Sequence, residues 1–197
     1  MKTIKIIIIS IICLTIGFQN TQAQEPNIQF GIYETVPLND LRPFSENLSR
    51  YILNQNLKMD APVLGYISTN DKSFTDSLFV ESSSPKMNVK LTRVQPSSQE
   101  PHALIALSEN PTIIISDINK TIPSENSIEI RFTYKGAKKW AKMTSENVGK
   151  MVAFVINDEI WSLPLVNAEI KAGIAMITGL ESLETATKIS DLINSSL

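Results

Sequence analysis

KGAKKWAKMTSENVGKMVAFVINDEIWSLPLVNAEIKAGIAMITG, residues 135–179, is the stretch that decides the fold. Ala137, Trp140, Ala141, Thr144 and Val148 fall at i, i+3, i+4, i+7 and i+11, one stripe of a helix that starts near Gly136. Lys135, Lys138, Lys139 and Lys142 lie mostly off that stripe. Gly149 is placed to end the helix as a left-handed C′ residue. Met151 to Ile156 is a short apolar run of strand length. Asn157-Asp158 is a turn, and Glu159 to Leu165 pairs back as a hairpin. Ile174 to Thr178 predicts one more strand.

Working outward, Ile128, Ile130 and Phe132 alternate with Glu129, Arg131 and Thr133, a strand with one wet face. Ser182 caps a last helix that carries Leu183, Ala186, Ile189 and Ile193. Residues 127–197 therefore read β-α-β-β-loop-β-α. With strands from the first half, this predicts an α+β fold: a mostly antiparallel sheet with helices on one face.

The first half has a different texture. Residues 24–126 are rich in Ser, Pro and Asn. Ile28, Phe30 and Ile32 alternate as a first strand. Phe44, Leu48, Tyr51 and Ile52 predict a helix over 43–54, with Pro43 in its first turn. Strands are expected at 62–68, 77–81, 87–93, 103–107 and 113–115, with Ser116-Asp117 capping a single turn. Gln95 to Pro101 is expected as a loop.

Residues 1–23 read as a cleaved secretory signal. Lys2 and Lys5 form the basic end, Ile6 to Phe18 the apolar stretch, and Thr21-Gln22-Ala23 the cut site. Cys13 lies inside the apolar stretch behind Ile12, unlike a lipidated cysteine. Cleavage leaves 174 residues, enough for one domain with a real core. It leaves 16 basic against 20 acidic residues and no cysteine. Without a basic block, nucleic acid is not expected as a partner. Without cysteine, stability must come from the core. No later apolar run reaches the ~20 residues of a membrane helix.

The catalytic inventory is thin. His102 is the lone histidine, and the acids are scattered. Metal sites of His and Cys are excluded after cleavage, and Asp71 and Asp76 do not match a calcium loop. No nucleophile elbow, P-loop or zinc-protease motif is present. The expectation is no cofactor, no metal and no catalytic residue.

Gly136-Ala137-Lys138-Lys139-Trp140-Ala141, Thr144, Asn147-Val148-Gly149-Lys150, Trp161-Ser162-Leu163-Pro164-Leu165 and Gly173 to Gly179 carry a family resemblance. In type and spacing this set resembles the head subdomain of the first periplasmic domain of SecD, an accessory subunit of the bacterial Sec export channel. The resemblance is strong over 128–193 and weaker upstream. There are departures. Met151-Val152 stands where family members carry Arg and Leu. Leu163-Pro164-Leu165 replaces Ala-Pro-Val, and Lys171-Ala172-Gly173 replaces Gly-Gly-Arg. The resemblance implies a ferredoxin-like head-type domain, periplasmic or secreted. It further implies a non-catalytic module that contacts unfolded or extended polypeptide, or an envelope protein, as an accessory in export or folding. It does not extend to the proton-conducting membrane helices of SecD. A small secreted enzyme on a related α+β scaffold stays open as the alternative.

Two surfaces are candidates for contact. The hairpin Val155–Leu165 is the expected free sheet edge, with Trp161 as an apolar grip beside Val155, Leu163 and Leu165. Lys135, Lys138, Lys139 and Lys142 form a positive helix face. That face is either merely solvated or a dock for an acidic partner or anionic lipid.

Overall fold

A computed structural model describes residues 28–40, 61–67, 87–93 and 101–197. The expected signal (1–23), the helix at 43–54, the strand at 77–81 and most of the loop at 95–101 lie outside the described residues.

Ten strands and two helices follow one another in the described residues. The strands are β1 (Phe30–Glu34), β2 (Val63–Ile67), β3 (Met87–Thr92), β4 (His102–Ser108), β5 (Ile113–Ile114), β6 (Ile118–Ser124), β7 (Ser127–Phe132), β8 (Val152–Ile156), β9 (Glu159–Ser162) and β10 (Ile174–Thr178). Helix α1 (Tyr134–Glu146) lies between β7 and β8, and α2 (Leu183–Ser195) follows β10. The fold is α+β and mostly antiparallel, as the alternation patterns predict. The strands divide between two sheets, however. One runs β2-β4-β3-β9-β8-β1-β5 and the other β10-β7-β6. Among the described residues only the β3–β9 pairing is parallel, with Leu91 opposite Glu159.

Local chemistry explains the boundaries. Thr133 caps α1 by accepting from the Gly136 amide at 3.1 Å, so the helix starts two residues before Gly136. Ser182 caps α2 through the Thr185 amide. Gly149 adopts φ +81°, but one position later than C′, because Asn147 is the cap. Asn157 and Asp158 both take positive φ, 48° and 69°, which closes the β8–β9 hairpin with a twist matching its strands. β6 (INKTIPS) was not expected. Its polar residues hide the strand, and Pro123 is tolerated because β6 is an edge.

The main core lies between the sheets and the helices. β8 supplies Val152, Phe154 and Ile156, and β7 supplies Ile128, Ile130 and Phe132. α1 adds Trp140 and Met143, and α2 adds Ala186, Ile189 and Ile193. The buried face of α1 is Gly136, Trp140, Met143 and Thr144. Val148, expected on the stripe, is exposed because it lies beyond the cap. Gly136 has a steric reason: a methyl there would collide with the Asp117 carbonyl. On the opposite face of the large sheet, Ile105, Leu107, Ala153, Val155 and Ile160 form a second cluster. β8 is therefore buried on both faces, which is why it reads as an unbroken apolar run.

Candidate functional site

A groove of about 430 Å³ opens beside β10. Its floor is the main core, where Trp140, Val152 and Phe154 lie buried. One wall is the segment Pro164 to Ile170, and the other is β10 at Ile174–Met176. The lining is mostly apolar. Leu165, Ile170, Ile174 and Met176 are all exposed there, with Leu165 at 51% and Met176 at 46%. Apolar side chains of this size gathered around one groove mark an interaction surface more than scattered ones do.

The backbone sharpens the picture. β10 pairs with β7 on one side and with no described strand on the other. The Phe132 amide donates to the Gly173 carbonyl at 3.0 Å. In an antiparallel ladder bonding alternates, so Gly173, Ala175 and Ile177 face β7. Ile174 and Met176 then turn their amides and carbonyls away from β7, toward the groove. The Trp140 indole N–H confirms the parity by donating to the Ile174 carbonyl at 3.1 Å. That bond also pins the indole in place at the floor.

The nearby charges are matched. Arg131 donates to Glu129 at 2.6 Å, and these two residues sit opposite Ile174 and Met176 on β7. Lys171 pairs with Glu169 at 3.2 Å on the other flank.

The expected edge at the hairpin is not an edge. β9 is bonded to β8 on one side and to β3 on the other. Nor do its four candidates form one patch. Val155 is buried in the second cluster, with Leu163 packed against it. Trp161 packs against the main core on the opposite face. A strand alternates its side chains, so Trp161 cannot share a face with Val155 and Ile160. Trp161 is half-buried, and the Arg93 guanidinium covers its ring at 3.9 Å while reaching Glu181 at 3.0 Å. Only Leu165 of the four reaches the groove.

The lysine face is interrupted. The Lys139 ammonium donates to the buried Asp117 carboxylate at 2.6 Å. The Asp117 carboxylate also accepts from the Ile114 amide at 3.1 Å, so the pair ties α1 to the turn between β5 and β6. Lys142 lies 3.8 Å from Glu146, and Lys138 sits over the Tyr134 ring. Lys135 is exposed. His102 is half-buried, its Nδ1 2.6 Å from the Thr92 carbonyl. Among the described residues, no three His, Cys, Asp or Glu side chains gather as a metal site. No helix among them is long and apolar enough to cross a membrane.

The groove residues of β10 were missed from sequence. One signal was available: Ile174-Ala175-Met176-Ile177 is apolar on both faces, although one face of this strand is open.

Comparison with known proteins gives a consistent pattern. Residues 98–197 match the model of the SecDF P1 head subdomain. The protein translocase subunit SecD of Rhodothermus marinus is 36% identical over 84 residues, which cover 42% of this chain and 14% of that protein. SecD of Leptotrichia buccalis is 36% identical over 69 residues, covering 35% and 17%. SecDF of Thermus thermophilus is 35% identical over 68 residues, covering 34% and 9%. The chain thus spans less than a fifth of each of these relatives. A solved structure of SecDF, a membrane component that enhances protein export, is similar with TM-score 0.47 and 20% identity, covering 85% of this chain and 63% of that one.

Proposed function

The chain belongs to the SecDF P1 head subdomain family, and from that premise we propose that it is an extracytoplasmic, non-catalytic module that contacts extended polypeptide during protein export or folding. The observation that carries this reading is the apolar groove beside an edge of β10 that pairs with no other strand among the described residues. An export client has no fixed sequence, so its recognition must rest on backbone and on apolar side chains. The groove offers both. Of the residues expected from sequence to make this contact, Leu165 lines the groove. Trp161, Val155 and Leu163 support the sheet beneath it.

The contact should be broad and weak. Affinity for an unfolded client sits at micromolar or weaker, on the order of −8 kcal/mol or less favourable. It changes little with salt, because the charges flanking the groove are already paired. Titration of an unfolded client, followed by Trp fluorescence at low and high salt, tests this. Absence of binding to any unfolded client refutes the reading. Binding abolished by salt moves the contact to Lys135, Lys138 and Lys142.

A further inference from the structure

We infer that the groove takes its polypeptide as an added strand on β10, and that it selects segments in which apolar and polar side chains alternate. This rests on the function proposed above and specifies the class of client segment.

Three observations carry it. The first is hydrogen-bond complementarity. The amide and carbonyl of Met176 and the amide of Ile174 face the groove, as the alternation of the β10–β7 ladder requires. Only another extended backbone matches such a row, and strand addition at an open edge is a general mode of peptide capture. The second is the Trp140 indole. It already bonds the outward-facing Ile174 carbonyl at 3.1 Å, so a strand extended past Met176 has to share that acceptor with the indole. The added strand is therefore centred on Met176, and its register is fixed by Trp140. The third is the asymmetry of the two faces. A strand laid beside β10 turns every second side chain onto the Trp140 and Phe154 floor and the others to solvent beside Met176. The inward set must be apolar, since a polar group on this floor would lose its water without gaining a partner. The outward set is free to be polar. The matched Glu129–Arg131 and Lys171–Glu169 pairs leave no surplus charge to draw an acidic or basic segment.

A short peptide alternating valine and threonine is titrated against the purified protein. Two controls accompany it: an isomer with the valines in one block, and the alternating peptide with its backbone N-methylated. The alternating peptide is expected to bind about tenfold more tightly than the block isomer, and the N-methylated form to lose binding. Met176→Pro is expected to weaken binding about tenfold, whereas Met176→Ala retains most of it. A proline at 176 removes an N–H that points away from β7, a position where an edge strand accepts it. Amide hydrogen exchange on the unaltered protein gives a readout that does not depend on whether Met176→Pro folds. The Met176 amide should gain protection with the alternating peptide and not with the N-methylated one. Equal binding of all three peptides overturns the added strand while leaving the proposed function standing, as does an unprotected Met176 amide at saturation. Failure of every peptide and of unfolded client overturns both. A protein dimer that already protects the Met176 amide without peptide shows that a second copy covers the edge, and also overturns the inference.

Discussion

The hairpin β8–β9 and the strand β10 look alike in sequence and differ in what surrounds them. β8 and β10 are both short and apolar. β8 has strands on both sides and side chains buried on both faces. Among the described residues β10 has a strand on one side, and its outward residues Ile174, Met176 and Thr178 are exposed. The difference teaches that an apolar strand reports where burial is needed, not which partner supplies it. β8 and β9 obtain theirs from β1 and β3, which lie far away along the chain. Among the described residues β10 keeps one face and one edge open, and the groove is the consequence.

The largest expected effect breaks or confirms this contrast directly. Val155→Asp places an unpaired charge in the second core cluster and should prevent stable folding, whereas Met176→Asp should change stability by within ~0.5 kcal/mol. Denaturant melts of the two variants settle it. Similar losses in both would mean that β10 is not open. Next in size is Trp140→Ala, expected to cost about 3–5 kcal/mol, because the ring is buried against Phe132 and Phe154 and also loses its bond to Ile174. A near-neutral melt would show that the groove floor is not part of the core.

A smaller effect separates two neighbouring lysines. Lys139→Ala strands the buried Asp117 carboxylate and should cost about 1–3 kcal/mol, whereas Lys138→Ala stays within ~0.5. Equal costs in thermal melts would remove the latch between α1 and the β5–β6 turn. The smallest effect is a pH dependence on the second-cluster side of the large sheet. Burial, and then the charge of Asp158, raise the Tyr33 hydroxyl above its ordinary 10.0. A raised acid holds its proton more firmly when folded. Its contribution is therefore complete below pH 10 and is lost as pH rises through the higher folded value. Stability should fall above pH 10 more steeply in the parent than in Tyr33→Phe. Parallel alkaline melts of the two would contradict this.

Much is legible in the chain alone. The alternation at 128–133, the α1 stripe through Trp140 and Thr144, the Asn157-Asp158 turn and the Ser182 cap are local, and their physics is local: side-chain period, capping bonds and positive φ. The same residues carry the family resemblance. Hidden from the sequence was everything set by long-range pairing. β6 carries too many polar residues to announce itself, and its strand is fixed by β7 together with α2, where Thr121 meets Ser190 at 2.7 Å. Lys139 reads as one solvated lysine among four until the turn at Asp117 is brought beneath it, 22 residues away along the chain. Trp161 reads as an exposed grip until β3 arrives in parallel and Arg93 covers its ring. The sequence by itself determined most of the described strands and both described helices, β6 excepted, and which faces of them are apolar, because these follow from neighbours a few residues apart. Which strand keeps a free edge was decided only by the tertiary structure. A backbone amide has the same chemistry in β9 as in β10, and only the chain brought alongside determines whether it is already bonded.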